Sequence, residues 1–159
     1  MTFLTNNKER IPQDALLHLD QQLCFALYST SLAMTKVYKP LLDQLGLTYP
    51  QYLVMLILWQ NDALELQQIG EQLQIGSGAL TPVLKRMEKM GLLQRSRNPQ
   101  NERALEIRLT QSGWAMRATA AEKVQVNRHI SLKSGMADTE IQALKQELVQ
   151  LRKQLNSAL

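Results

Sequence analysis

The chain of 159 residues is predicted to be mainly α with a small β component (α+β): a winged helix-turn-helix with N- and C-terminal dimerisation helices. Three observations carry that prediction. Two short helical segments joined by Gly76-Ser77-Gly78 are followed by a hairpin pattern, in which Leu105, Ile107 and Leu109 alternate with Glu106 and Arg108. Long runs with apolar residues at three- and four-residue spacing lie on both sides of that unit. The last run carries leucines spaced alternately by three and four, the pattern of a helix–helix seam. The organisation is therefore residues 1–46, an arm and first dimerisation helix; 47–110, the winged helix-turn-helix unit; and 111–159, C-terminal dimerisation helices.

The elements follow in order. Leu16, Leu19, Leu23, Leu27, Thr30, Met34, Val37 and Leu41 predict a helix over 13–45, with Pro40 kinking or ending it locally. Thr48 and Gln51 have capping-box spacing with a proline in the first turn. They open an apolar helix, YLVMLILW (52–59), expected to be buried on several sides. A helix over about 65–73, a turn, and a helix from an N-cap at Ser77 to Met90 come next, with Gly91 as the residue beyond its end. The hairpin has its tip at Asn98–Arg103. Thr110 is expected to cap a helix running to Ser134, and Asp138 a last one bearing Ile141, Leu144, Leu148, Leu151 and Leu155. One chain offers too little surface to cover such helices, so a homodimer is expected.

Composition narrows the function. A hydrophobic content of 45% fills a core. No apolar run approaches the roughly 18 residues of a membrane span. MTFLTNNKERIPQD has no hydrophobic signal region, so a cytoplasmic location is expected. One cysteine and two histidines, His18 and His129, argue against a metal site, and no cofactor is expected. Neither histidine is given a role, and Trp59 and Trp114 are read as core or interface residues. The net charge of +4 is uneven: residues 85–117 hold eight cations against three carboxylates, the balance a phosphate-binding surface needs.

The predicted reading helix has small and hydroxyl residues at its start, where backbone and side chains must approach base edges, and cations to hold phosphates. Ser77, Gly78, Ala79, Thr81, Pro82, Lys85 and Arg86 are the candidates, leaving Leu80, Val83, Leu84 and Met87 for the core. Arg95, Arg97 and Arg103 of the hairpin are suited to a narrow minor groove. Double-stranded promoter DNA is the expected partner.

Three segments then resemble a known family: LDQQLCFALYSTSLAMTKVYKPLLDQLGLTYPQYLVMLILW (19–59), IGEQLQIGSGALTPVLKRMEKMGLL (69–93) and RNPQNERALEIRLTQSG (97–113). The chain looks like the MarR family, and within it the one-cysteine organic hydroperoxide resistance regulators (OhrR). GALTPVLKRME carries the broader likeness, LCFALY with TYPQY the narrower one. The resemblance implies a repressor released from DNA when Cys24 is oxidised by organic hydroperoxides, with Tyr38 and Tyr49 hydrogen-bonding that sulfur from the partner subunit. Tyr28, four residues after Cys24, lies on the same helical face. The thiolate is the attacking form. No Lys or Arg stands within a turn of Cys24, so phenol donors are the natural stabilisers. A helix starting at Asp20 adds its positive end; one starting near Pro12 does not. Leu23, Phe25, Ala26 and Leu27 supply apolar surroundings suited to organic peroxides. With no second cysteine, the sulfenic acid resolves through a low-molecular-weight thiol or over-oxidises to sulfinic acid.

Two positions depart from the pattern. Asn101 precedes Glu102-Arg103 where the family carries Asp, and Ala79 stands where related sensors carry Thr, which bears on the orientation of Arg103 and on the operator. Other readings of the same residues are a repressor released by a small phenolic ligand, a general thiol-based redox regulator, and a thiol peroxidase. Apart from Cys24 the chain shows no constellation for catalysis, so no enzyme is expected.

Overall fold

The computed structural model describes residues 13–159, and the chain divides into two units at Thr35/Lys36. The expected arm at residues 1–12 lies outside the described residues. In the first unit, two single 3-10 turns (Gln13–Leu17 and Leu19–Gln21) precede helix α1 (Leu23–Asp43), which continues into the second unit. The helix expected from residue 13 thus begins only at Leu23. His18 and Gln22 both adopt extended backbone, and the Gln22 amide donates to the carbonyls of Leu16 (2.6 Å) and His18 (3.1 Å). No residue from 13 to 35 is buried, so the helix start is marked by the extended backbone and the Gln22 side-chain bonds rather than by burial.

In the second unit α1 passes through Pro40 and ends at Asp43, anchored by buried Leu41 and Leu42. Thr48 caps α2 (Tyr49–Gln60): its hydroxyl accepts from the Gln51 backbone, and the Gln51 side chain accepts from Thr48 N at 2.9 Å. Seven residues of α2 are buried, so it forms the centre of the unit. Around it stand β1 (Leu64–Glu65), α3 (Leu66–Leu73), α4 (Ser77–Lys89), β2 (Leu93–Asn98), β3 (Asn101–Leu109), α5 (Gln111–Lys123), α6 (Val126–Ser134) and α7 (Asp138–Ser157).

The sheet is antiparallel in the order β1-β3-β2, with Leu93 opposite Leu109 and Leu64 opposite Ile107. The hairpin and its alternation match the sequence expectation, but its tip narrows from Asn98–Arg103 to Pro99 and Gln100; β1, two residues long, gave no periodic signal. Val54, Met55, Leu58, Ile69, Leu80, Leu84, Met87, Leu93 and Ile107 are fully buried. Gly91 takes positive φ (+74°) after α4, as a residue beyond a helix end does. Gly113 lies so close to the Leu92 carbonyl that any Cβ would collide with it, and its own carbonyl accepts from Trp59 Nε1 at 3.0 Å. Trp59 is therefore a core residue, whereas Trp114 is exposed.

Three further helix boundaries differ from expectation. Gly76, not Ser77, is the N-cap of α4. Thr110 caps α5 as expected, but the helix breaks at Val124 and Gln125, which leave helical conformation without Gly or Pro. The break allows Val124 and Val126 both to be buried; two residues apart, they point in different directions on one helix. Ala137 rather than Asp138 precedes α7, its N–H bonded to Glu140 Oε2 at 2.7 Å. No residue of α7 is buried, and its seam residues Leu144, Leu148 and Leu155 are exposed. No helix among the described residues is long and apolar enough to cross a membrane.

Candidate functional site

Helix α4 shows two faces. Leu80, Leu84 and Met87 are buried at helical spacing against the core. That burial turns Ser77, Gly78, Ala79, Pro82, Lys85 and Arg86 to solvent, with Thr81 half-buried. The Thr81 hydroxyl donates to the Ser77 carbonyl at 2.7 Å, so its lone pairs face outward while its proton is used within the helix. Tight entry from α3 comes from Gln74, which takes left-handed backbone (φ +58°) at the α3 end. The expected reading residues thus share one exposed helix face, cations included.

The β2–β3 hairpin is the wing. Arg97 and Arg103 are exposed near its tip, where Arg97 Nη1 donates to the Glu102 carbonyl at 3.1 Å. Asn101 accepts from the backbone N–H of Arg103 at 3.3 Å. The departure from Asp therefore keeps a turn contact without engaging the Arg103 guanidinium. Arg95 behaves differently from the other two. Its guanidinium is paired with Glu88 at 2.6 Å and is only 21% exposed. Its hydrogen bonds hold the Glu88 carboxyl below the usual carboxylate range. In the sequence Glu88 registers only as a charge. A signal was present: an acid in the last turn of a helix opposes the helix dipole and needs a compensating partner.

In the first unit, Cys24 is a free, exposed thiol and the second residue of α1. Ahead of it Gln22 is extended, so the thiol lies in a first helical turn whose N–H groups lack intrahelical partners. Of the two helix starts weighed from the sequence, this is the kind that adds a positive helix end. Leu23, Phe25, Leu27 and Tyr28 around it are all exposed.

The second unit brings Tyr38 and Tyr49 together, ring centroids 4.9 Å apart and edge-on. Tyr52 completes the group at 6.5 Å from Tyr38. Burial, with the Tyr49 and Tyr52 phenols adding to it, pushes the Tyr38 hydroxyl up to about 12. Burial likewise pushes Tyr52 up, with Tyr49 adding. A phenol kept protonated in this way is a donor. Tyr52 was missed by sequence reasoning, although it stands three residues after Tyr49 and so shares its helix face. Beside the phenols a cleft of about 340 Å³ is lined by Tyr38, Tyr52, Leu56 and residues 124–128.

Comparison with known proteins bears on this arrangement. The model of the MarR family matches residues 47–105. The organic hydroperoxide resistance transcriptional regulator of Bacillus subtilis (strain 168) is 50% identical over 106 residues, 67% of this chain and 72% of that protein. The chain belongs to the MarR family. Reduced AbfR bound to DNA shares its fold with a TM-score of 0.68 at 37% identity, and overoxidized AbfR bound to DNA with 0.68 at 38%. Each comparison covers 86% of this chain and 94% of the other; AbfR is a Staphylococcus epidermidis protein. This MarR-family transcriptional regulator thus has its matched segment running from just before the α2 cap into β3 of the wing.

Proposed function

We propose that the protein is a homodimeric repressor that binds promoter DNA through α4 and the wing and lets go when organic hydroperoxides oxidise Cys24. The observation that carries this reading is one free thiol, exposed among apolar side chains in the first turn of a helix, in a chain 50% identical over 106 residues to a regulator of organic hydroperoxide resistance. The apolar surroundings favour an organic peroxide over hydrated hydrogen peroxide. Two reading heads, one from each copy, address half-sites about one DNA turn apart. Ser77, Gly78, Ala79, Thr81, Pro82, Lys85 and Arg86 enter the major groove, while Arg97 and Arg103 reach the minor groove.

The chemistry balances on one sulfur. The Cys24 thiolate attacks the distal peroxide oxygen, the O–O bond breaks, and with one proton taken up the products are sulfenic acid and the alcohol. A low-molecular-weight thiol then displaces water to form a mixed disulfide. Tyr38 and Tyr49 of a second copy, with Tyr28 of the same copy, serve as donors to the sulfur. AbfR has been observed on DNA in both reduced and overoxidized forms, which supports assigning release here to the bulkier mixed disulfide rather than to the sulfinic acid.

A gel shift with DNA from upstream of the protein's own gene tests this. The reduced protein binds, and cumene hydroperoxide with a small thiol releases it, with an added mass of one thiol per chain at Cys24. Cys24→Ser stays bound under the same treatment. Release of that variant by the peroxide rejects peroxide sensing through this residue. Peroxide consumption distinguishes a sensor from an enzyme: about one equivalent per Cys24 fits the former, many turnovers the latter.

A further inference from the structure

Glu88 of α4 and Arg95 of the wing are joined by an ion pair and three hydrogen bonds. One Glu88 oxygen accepts from Arg95 Nε at 2.9 Å and Nη2 at 2.6 Å, and the other accepts from the Arg95 backbone N–H at 3.0 Å. Both side chains are partly withdrawn from water, 21% exposed for Arg95 and 34% for Glu88. The backbone bond is informative, because β2 is an edge strand of the sheet and edge N–H groups otherwise lack partners. Arg95 shares a strand face with buried Leu93, so its side chain runs along the inner side of the hairpin toward α4. Three charge-assisted bonds to one carboxylate restrict direction as well as distance.

We infer that Glu88 and Arg95 form a clamp that fixes the angle between α4 and the wing, and that Arg95 positions the DNA-reading surface instead of contacting a phosphate. This rests on the reading of α4 and the wing as the DNA-binding surface. A protein that engages two grooves at once gains from holding both elements in register before contact, since ordering them on binding costs affinity. The clamp makes a prediction opposite in sign to simple electrostatics. Removing a carboxylate beside DNA lessens repulsion, whereas removing this one frees the wing.

The test measures anisotropy of two labelled duplexes, one from upstream of the protein's own gene and one of random sequence, over a series of salt concentrations. Wild type, Glu88→Gln, Arg95→Met and the double variant are compared at a temperature where circular dichroism shows each folded, with Arg95→Lys replacing Arg95→Met should the latter not fold. Each single variant is expected to bind the upstream duplex about tenfold more weakly while its affinity for random DNA changes little. The double variant is no weaker than either single one, as for two residues acting as a unit. The salt slope of the Arg95 variant stays at the wild-type value. Undiminished binding by Glu88→Gln, equal losses on both duplexes, or a slope lowered by about one in the Arg95 variant, the mark of a lost phosphate contact, each overturns the clamp. Failure of wild type to prefer the upstream duplex instead overturns the regulatory reading on which the clamp rests.

Discussion

The winged-helix region and residues 13–35 are both rich in leucine, yet they treat it in opposite ways. In the former, Leu58, Leu80, Leu84 and Leu93 are sealed from solvent around α2. In the latter, Leu17, Leu19, Leu23 and Leu32 are 87%, 62%, 61% and 49% exposed, and nothing is buried. The reading head is thus a folding unit complete within one chain. The cysteine-bearing segment has an apolar face without a cover of its own, as does the seam of α7. Exposed apolar surface on a regulator marks an interaction site, and in the proposed homodimer a second copy would supply the matching face by symmetry. Cys24, the proposed sensor, therefore sits in the segment with uncovered apolar side chains, while the proposed base-reading helix sits in the part with a buried core.

Three measurements break or sharpen that contrast. The largest effect is expected at Leu84, fully buried beneath the reading face. Leu84→Ala should lower the unfolding free energy by about 2–5 kcal/mol in urea titrations, and a loss near zero would mean that the reading head lacks a core of its own. Next, Leu32→Asp should weaken dimerisation by at least about tenfold, or about 1.4 kcal/mol, read by sedimentation velocity. Unchanged self-association there would show that the exposed face of α1 is not a seam. The smallest effect concerns pH. Tyr38 is raised to about 12 in the fold against 10.0 for the free phenol, so the folded state holds its proton more firmly. The stability this confers is complete below pH 10 and is lost as pH rises through 12. Tyr38→Phe should remove that loss, making the decline in unfolding free energy between pH 9 and 11.5 shallower than in wild type.

Much of the reading head was legible because its signals are local. The Thr48–Gln51 capping box, the Gly91 stop and the alternation of Leu105, Ile107 and Leu109 each depend on a few neighbouring residues. The departures arise elsewhere. Residues 13–22 carry helical spacing, yet the backbone is extended at His18 and Gln22 and the segment forms 3-10 turns. The α5–α6 break has no Gly or Pro to announce it; it follows from where Val124 and Val126 find cover. The inward pairing of Arg95 is not legible in the sequence, because the charge pattern shows sign and not direction. Its partner Glu88 lies on a different element.

From sequence alone came the order of the elements, the two faces of α4, the basic concentration of residues 85–117 and the presence of one thiol near three tyrosines in the chain. These are properties of spacing and composition, which the backbone periodicities translate directly into faces. Tertiary structure alone decided that Tyr38, Tyr49 and Tyr52 cluster, that α1 begins just before Cys24, and that one wing arginine is turned inward to Glu88. Those outcomes depend on which surfaces meet, and competition for burial and for hydrogen-bond partners between distant segments is settled only once the chain has folded.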